Sequence, residues 1–247
     1  MFDNSAWFIY DSVSSTNTFA QQMALEQNIA EGSVIMAQFQ EQGKGQRGNG
    51  WLSKPGENLL LSVVLYPTFL PVDRLFSLSQ VAALSVSDTI SSLIDSGVYI
   101  KWPNDIYVAN GKIGGILIEN TFRGQALHAA IVGIGVNVNQ QDFGNELKHA
   151  TSLYLQSGQI FNIKSIAEQL HHNLRHYYQM LKTGKFETIN ARYHEKLFRR
   201  NMHCSFKHDG IIFNGQIREV TFAGQLMVET STGEKCTFDL KEIEMVI

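Results

Sequence analysis

The chain of 247 residues reads as an α+β protein: a mixed, mostly antiparallel sheet packed against helices, followed by a small β-barrel. Three observations predict this. Short apolar, partly β-branched runs recur through the first half. Two long segments carry apolar residues at helical spacing. From about Asn201 the texture changes to brief alternating runs cut by glycine-containing turns.

The first strand is read at Trp7 to Tyr10. The polar turn after it leads to a helix starting near Thr16 or Asn17, where Ser, Thr and Asn can cap exposed amides. Ser33 to Gln40 and Asn58 to Pro67 are apolar runs expected as buried strands. From Val72 to Ile94, Leu75, Phe76, Leu78, Val81, Leu84, Ile90 and Leu93 keep helical spacing and predict one long helix. Three β-like segments follow, and the second folds at Asn110-Gly111, a tight-turn dipeptide. Ile163, Ile166, Leu170, Leu174, Tyr177 and Leu181 mark a second amphipathic helix, and another is expected from about Lys185 to Leu197. The junction is placed at Arg199-Arg200, dividing the chain into 1–199 and 200–247.

Hydrophobic residues make up 44% and the net charge is −3, enough for a sizeable core and too acidic for a broad phosphate-neutralising face. No apolar window is long enough to span a bilayer, and no basic-then-apolar leader opens the chain, so a cytoplasmic protein without membrane association is expected. Cys204 and Cys236 lack CxxC spacing and read as plain thiols. His172 and His176 stand one helical turn apart, but no H-E-x-x-H or third ligand accompanies them, so no metal site is assigned.

The chemistry concentrates elsewhere. Gly43 to Gly48 satisfy G-x-G-x-x-G, yet the fingerprint needs a helix directly after it and an acidic residue about twenty positions on. Neither is present, and no Walker loop occurs. The loop joins strand to strand, as an ordinary hairpin connection also would. Lys44 and Arg47 among its glycines favour an anion-binding role, with amides and cations able to approach closely. Lys101-Trp102-Pro103-Asn104-Asp105 follows directly on an apolar run that would deliver it to a sheet edge, although its turn-forming residues suit a plain strand end. Lys112 precedes Gly114-Gly115, which permits close backbone approach. Gly133 to Asn139 alternates small and polar residues, leaving Asn137 available to a ligand.

Taken together and in order, SSTN (Ser14 to Asn17), QEQGKGQRGNGW (Gln40 to Trp51), KWPND (Lys101 to Asp105), KIGGILIE (Lys112 to Glu119) and GIGVNVN (Gly133 to Asn139) resemble the biotin protein ligases over nearly the whole chain. The resemblance implies a class II synthetase-like catalytic domain with an SH3-like C-terminal domain. It implies that biotin and MgATP form biotinyl-5′-AMP, and that a lysine of a biotin carboxyl carrier protein then takes the biotinyl group. Biotin and ATP with Mg2+ are thus substrates, and no prosthetic group is implied. The nucleophile of the first step is biotin's own carboxylate, so cations that align two anions suffice.

Carried over by position, Ser15, Thr16, Asn17 and Gln40 would surround biotin, together with Lys44, Gly45, Gln46 and Lys112. Trp51 would offer an aromatic face to adenine, with Asn104, Asp105 and Asn137 on the adenylate side. Lys112 is expected as the main catalytic cation, Arg47 as the phosphate holder and Asp105 as a group orienting the incoming lysine. The loop is expected to order over the adenylate.

Two departures stand out. Better-known members read G-R-G-R-R-G-R-x-W, whereas Lys44, Gln46 and Asn49 replace three of those arginines, and neither lysine nor an amide reproduces the planar fork. Only 13 residues precede Ser14, so a ligase-only type without DNA binding is expected. Exposed strand edges leave a surface for a homodimer. The rivals are a lipoate or octanoate ligase of related fold and a noncatalytic biotin or nucleotide sensor.

Overall fold

A computed structural model describes residues 2–26, 29–124, 126–145 and 147–246, with Arg47 described in its backbone only. Seven strands form the main sheet: β1 (Trp7–Val13), β2 (Val34–Gln40), β3 (Leu59–Leu65), β4 (Val98–Lys101), β5 (Asp105–Val108), β6 (Gly111–Arg123) and β7 (Ala126–Val136). Their order is β1-β2-β3-β7-β6-β5-β4. β1 and β2 pair in parallel and every other neighbour is antiparallel, as expected for a mixed sheet.

Strand alternation sends Leu59, Leu61, Val63, Ile116, Val132, Ile134 and Val136 to one face, where they form the main core. Covering it are α2 (Phe76–Ser91), α4 (Ile163–Lys182) and α5 (Phe186–Glu195). The predicted helix from Val72 opens instead as a 3₁₀ turn at Val72–Arg74 after Pro71 and becomes α-helical only at Phe76. Burial surrounds α2, and two of its hydroxyls bond back to the helix: Ser85 Oγ donates to Val81 O at 2.6 Å and Thr89 Oγ1 to Ser85 O at 2.7 Å.

The opposite face is half covered. Helix α1 (Thr16–Leu25) packs Ala20 and Ala24 against Ile35, Val64, Ala129 and Ile131. Beyond its first turn the sheet surface turns to glycine, in the register rows Ser62–Gly133–Leu117 and Leu60–Gly135–Gly115. Without side chains there, the sheet keeps a shallow trough.

After α5 the chain adds to the β4 edge, with Ile100 donating to Lys196 O and Phe198 to Ile100 O, each at 2.8 Å. This closes a strand edge that would otherwise stand open. Strands β8 (His203–His208), β9 (Ile211–Val220), β10 (Leu226–Thr230), β11 (Lys235–Phe238) and β12 (Ile243–Val246) then form a second, antiparallel sheet in the order β11-β10-β9-β8-β12. Its end strands do not pair with each other, which leaves the small SH3-like unit open at that seam. Trp102 Nε1 donates to Gly224 O at 2.9 Å, and the Arg74 guanidinium lies 4.0 Å from the Phe222 ring centroid, so both sheets meet at the KWPND turn. Among the described residues no helix is long and apolar enough to cross a membrane.

Candidate active site

The glycine trough is the floor of a small, partly open cavity with room for about 50 Å³. Ser15, Thr16, Asn17, Gln40, Lys44, Gly45, Gln46 and Lys112 all line it, with Trp51 and Asn104. Six segments far apart in sequence are thereby brought to one place by the sheet order.

At the closed end the groups are polar and interlocked. The start of α1 departs from the sequence reading, because no side chain of its own caps it. Gln40 Oε1 on β2 accepts from the Thr16 backbone amide at 2.7 Å and lies 2.9 Å from Thr16 Oγ1. The side chains at the head of α1 are therefore spared for the cavity. Ser62, a buried hydroxyl within the otherwise apolar strand LLLSVVL, sits 2.7 Å from Thr16 Oγ1 and donates to Asn17 Oδ1 at 2.6 Å. Asn17 Nδ2 donates to Glu119 Oε2 at 2.7 Å and to Leu117 O at 3.2 Å. Ser62 and Glu119 had not been singled out from sequence. A hydroxyl interrupting a fully buried strand was the available signal for the first.

Trp51 returns over the cavity mouth. The loop from Gly43 to Trp51 is a tight hairpin, with Gly45 donating to Asn49 O at 2.7 Å and Trp51 to Gly43 O at 2.8 Å, around a 3₁₀ turn at Gln46–Gly48. Gly48 has φ +80°, a conformation that favours glycine. The indole lies on the trough: a Cβ added at Gly135 would stand 2.5 Å from its Cε2, and one at Gly115 2.9 Å from its Cζ3. Its Nε1–H is buried with no partner among the described residues, leaving a donor for a ligand. The Arg47 side chain lies outside the described residues.

Past Trp51 and Lys112 the cavity opens into a larger groove between the two sheets. It is lined by Lys101 to Asp105 on one side and by Ile217, Leu226, Glu244 and Met245 on the other. Lys112 borders both spaces. A register shift between Ile106 and Tyr107 opposite Lys112 and Gly114 leaves an extra residue on β6 and re-aims the lysine. Lys112 Nζ pairs with Asp105 Oδ1 at 2.7 Å and stands 5.7 Å from the Trp51 ring centroid. With the lysine side chain 35% exposed and the aspartate 21%, the pair is reachable by a ligand but partly shielded from water. Burial lowers the pKa of Lys101 from its ordinary value, opposed by the charge of Asp105. Asn104 Nδ2 is committed to Ile116 O at 2.8 Å, fixing the turn that presents Asp105.

Asn137, expected on the adenylate side, sits apart from the other site residues. It lines neither space, because β7 ends at Val136 and the face that Asn137 would join is covered by 149–153. Its Nδ2 donates to Thr151 O at 2.9 Å, while Thr151 donates to Lys112 O at 2.9 Å and Lys112 to His149 O at 2.6 Å. Asn137 thus braces the backbone clamp on Lys112. The His172 and His176 pair gathers no further ligand, and no group of three or more His, Cys, Asp or Glu suited to a metal occurs among the described residues.

A polar-ended cavity, a cation at its mouth and a nucleotide-sized groove beyond suit condensation of a small acid with a nucleotide. The comparisons with known proteins agree. The model of the Biotin/lipoate A/B protein ligase family matches residues 9–137. Bifunctional ligase/repressor BirA of Bacillus subtilis is 30% identical over 229 residues, 92% of this chain and 70% of that one. Biotin--[acetyl-CoA-carboxylase] ligase of Mycobacterium tuberculosis is 34% identical over 142 residues, 55% of this chain and 52% of its own. Among solved structures, the biotin protein ligase from Aquifex aeolicus in complex with biotin and ATP superposes with a TM-score of 0.81 at 26% identity, covering 98% of both chains. With its motifs, sheet order and cavity all in agreement with that match, the chain belongs to the biotin/lipoate A/B protein ligase family.

Proposed function

We propose that this protein activates biotin with ATP to biotinyl-5′-AMP and pyrophosphate, then transfers the biotinyl group to a lysine of a biotin carboxyl carrier protein. The observation that carries this reading is the position of Lys112 where cavity and groove meet. Biotin's ring system would lie over the glycine trough against Thr16, Asn17 and Gln40, bringing its carboxylate to the Lys112 ammonium. ATP would occupy the groove, with magnesium carried in on its phosphates.

In the first step a carboxylate oxygen attacks the α-phosphorus and the bond to pyrophosphate breaks. Lys112 offsets the charge shared by the two anions, and Lys44 and Arg47 supply further cations from the loop. In the second step the acceptor amine attacks the acyl carbonyl and AMP leaves. Asp105, already paired with Lys112, orients that amine and receives its proton. Trp51, on the boundary of the two spaces, keeps water from the mixed anhydride. We assign the catalytic unit to 1–199 and the SH3-like unit to 200–247, the latter contributing Glu244 and Met245 to the groove wall.

ATP/pyrophosphate exchange tests the reading, with biotin, lipoate and octanoate offered separately. Exchange with biotin is expected. Exchange with lipoate alone would transfer the assignment to a lipoate ligase, and exchange with none would favour a noncatalytic sensor.

A further inference from the structure

Glu119 presents an unusual carboxylate. It sits within β6, on the face of the sheet shared with Gly115 and Leu117, and among the described residues it takes part in no ion pair. Its hydrogen bond comes from Asn17 Nδ2 at 2.7 Å. A half-buried carboxylate without a cation adds nothing that an apolar residue would not supply more cheaply to the sheet. What it does supply is direction.

The direction follows from counting protons. Were the Asn17 amide reversed, its oxygen would face Glu119 Oε2 and Leu117 O, three acceptors with no proton among them. Nδ2 must therefore point to β6 and Oδ1 to Ser62. Oδ1 carries no proton, so the 2.6 Å contact is made by the Ser62 hydroxyl proton. That proton is then spent, and the single proton of Thr16 Oγ1 faces two acceptors inside the cluster, Ser62 Oγ at 2.7 Å and Gln40 Oε1 at 2.9 Å, so it is committed there in either case. Gln40 Oε1 is satisfied by the Thr16 amide. The consequence is a cavity end of fixed polarity: Thr16 Oγ1 is left to accept, and Gln40 Nε2 to donate.

We infer that Glu119 is a positioning residue for substrate recognition, setting through Asn17, Ser62 and Thr16 the donor and acceptor pattern read by the ligand's polar head. The inference rests on the proposed function and deepens it. A cyclic urea, which both donates and accepts, matches the fixed pattern, whereas a dithiolane or alkyl head leaves it unanswered.

Calorimetric binding of biotin without ATP tests this on the wild type, E119Q, E119L and E119A. In E119Q a carboxamide oxygen still accepts from Asn17, and affinity should stay within about threefold. In E119L and E119A the amide keeps only its longer 3.2 Å contact to Leu117 O on that side, and Kd should rise by about tenfold or more, the range of a lost charged hydrogen bond. In exchange assays KM for biotin should rise in these two variants while KM for ATP holds, a split that general damage to the fold would not produce. If E119L does not fold, E119A alone decides. Biotin binding by E119L or E119A at wild-type affinity would overturn the inference and leave the functional reading standing. A wild type that binds no biotin would instead overturn the functional reading itself.

Discussion

Replacing Gly133 with alanine should damage both stability and biotin binding, by an amount that the surroundings of Asn17 set. An added Cβ would lie 2.8 Å from Asn17 Cγ and 2.9 Å from its Nδ2, with Oδ1 closer still. Asn17 is 3% exposed and held on three sides, so moving aside means breaking those bonds. Retreat forfeits a hydrogen bond to a carboxylate, worth about 1.5–3 kcal/mol, and one to Ser62, worth about 0.5–1.5 kcal/mol. Alanine's advantage over glycine in a strand returns about 0.5–1 kcal/mol. The net loss of about 1–4 kcal/mol corresponds to a Tm lower by about 2–16 °C for a chain of this size. Differential scanning calorimetry reads the first quantity and biotin titration the second. A variant melting within about 2 °C of the wild type and binding biotin as tightly would show that Asn17 is not pinned as described.

Three further outcomes follow from the same geometry. Lys112→Ala should slow biotinyl-AMP formation by about 10²–10³-fold, the range for losing a stabiliser of developing charge, and an unchanged pyrophosphate-exchange rate would remove Lys112 from its role. Asp105→Asn should spare adenylate formation relative to transfer, so that preformed biotinyl-AMP supplied to the variant with carrier protein is consumed at least about tenfold more slowly; equal loss in both steps would contradict a role with the acceptor amine. His194 ties α5 to the second sheet, accepting at Nε2 from the Val220 amide at 2.7 Å, and burial lowers its pKa below 6.5, reinforced by Arg200. The unfolded state then binds the proton first, so this stabilisation is complete above 6.5 and is lost as pH falls through the lower folded value. Melting curves at pH 7.5 and 5.5 should converge less in the wild type than in His194→Gln, and an identical acid loss in both would refute the assignment.

The parts of the site legible in sequence were those whose residue types are unusual for their setting. A glycine-rich loop with cations, a Lys-Trp-Pro-Asn-Asp run at a strand end and a Gly-Gly pair inside a strand each violate a local expectation, and the seven-strand topology brings all of them to one cavity. Asn137 looked equally available, since Gly133, Gly135 and Asn137 share a parity. Parity predicts a face only while the strand lasts, and β7 ends one residue too soon. The cap of α1 was misread for a related reason. Ser15 has the right type and position but caps no amide, while the first helical amide, Thr16, is taken by Gln40 from a neighbouring strand, a tertiary contact that no local rule contains. Ser62 and Glu119 were hidden by the same limit. Each is an ordinary residue within a strand, and each acquires meaning from Asn17, 45 and 102 residues away in the chain. Residues touching a ligand tend to be locally odd, because ligand chemistry conflicts with folding preferences. Residues that orient them need only the right neighbour, and the neighbour is a property of the sheet register.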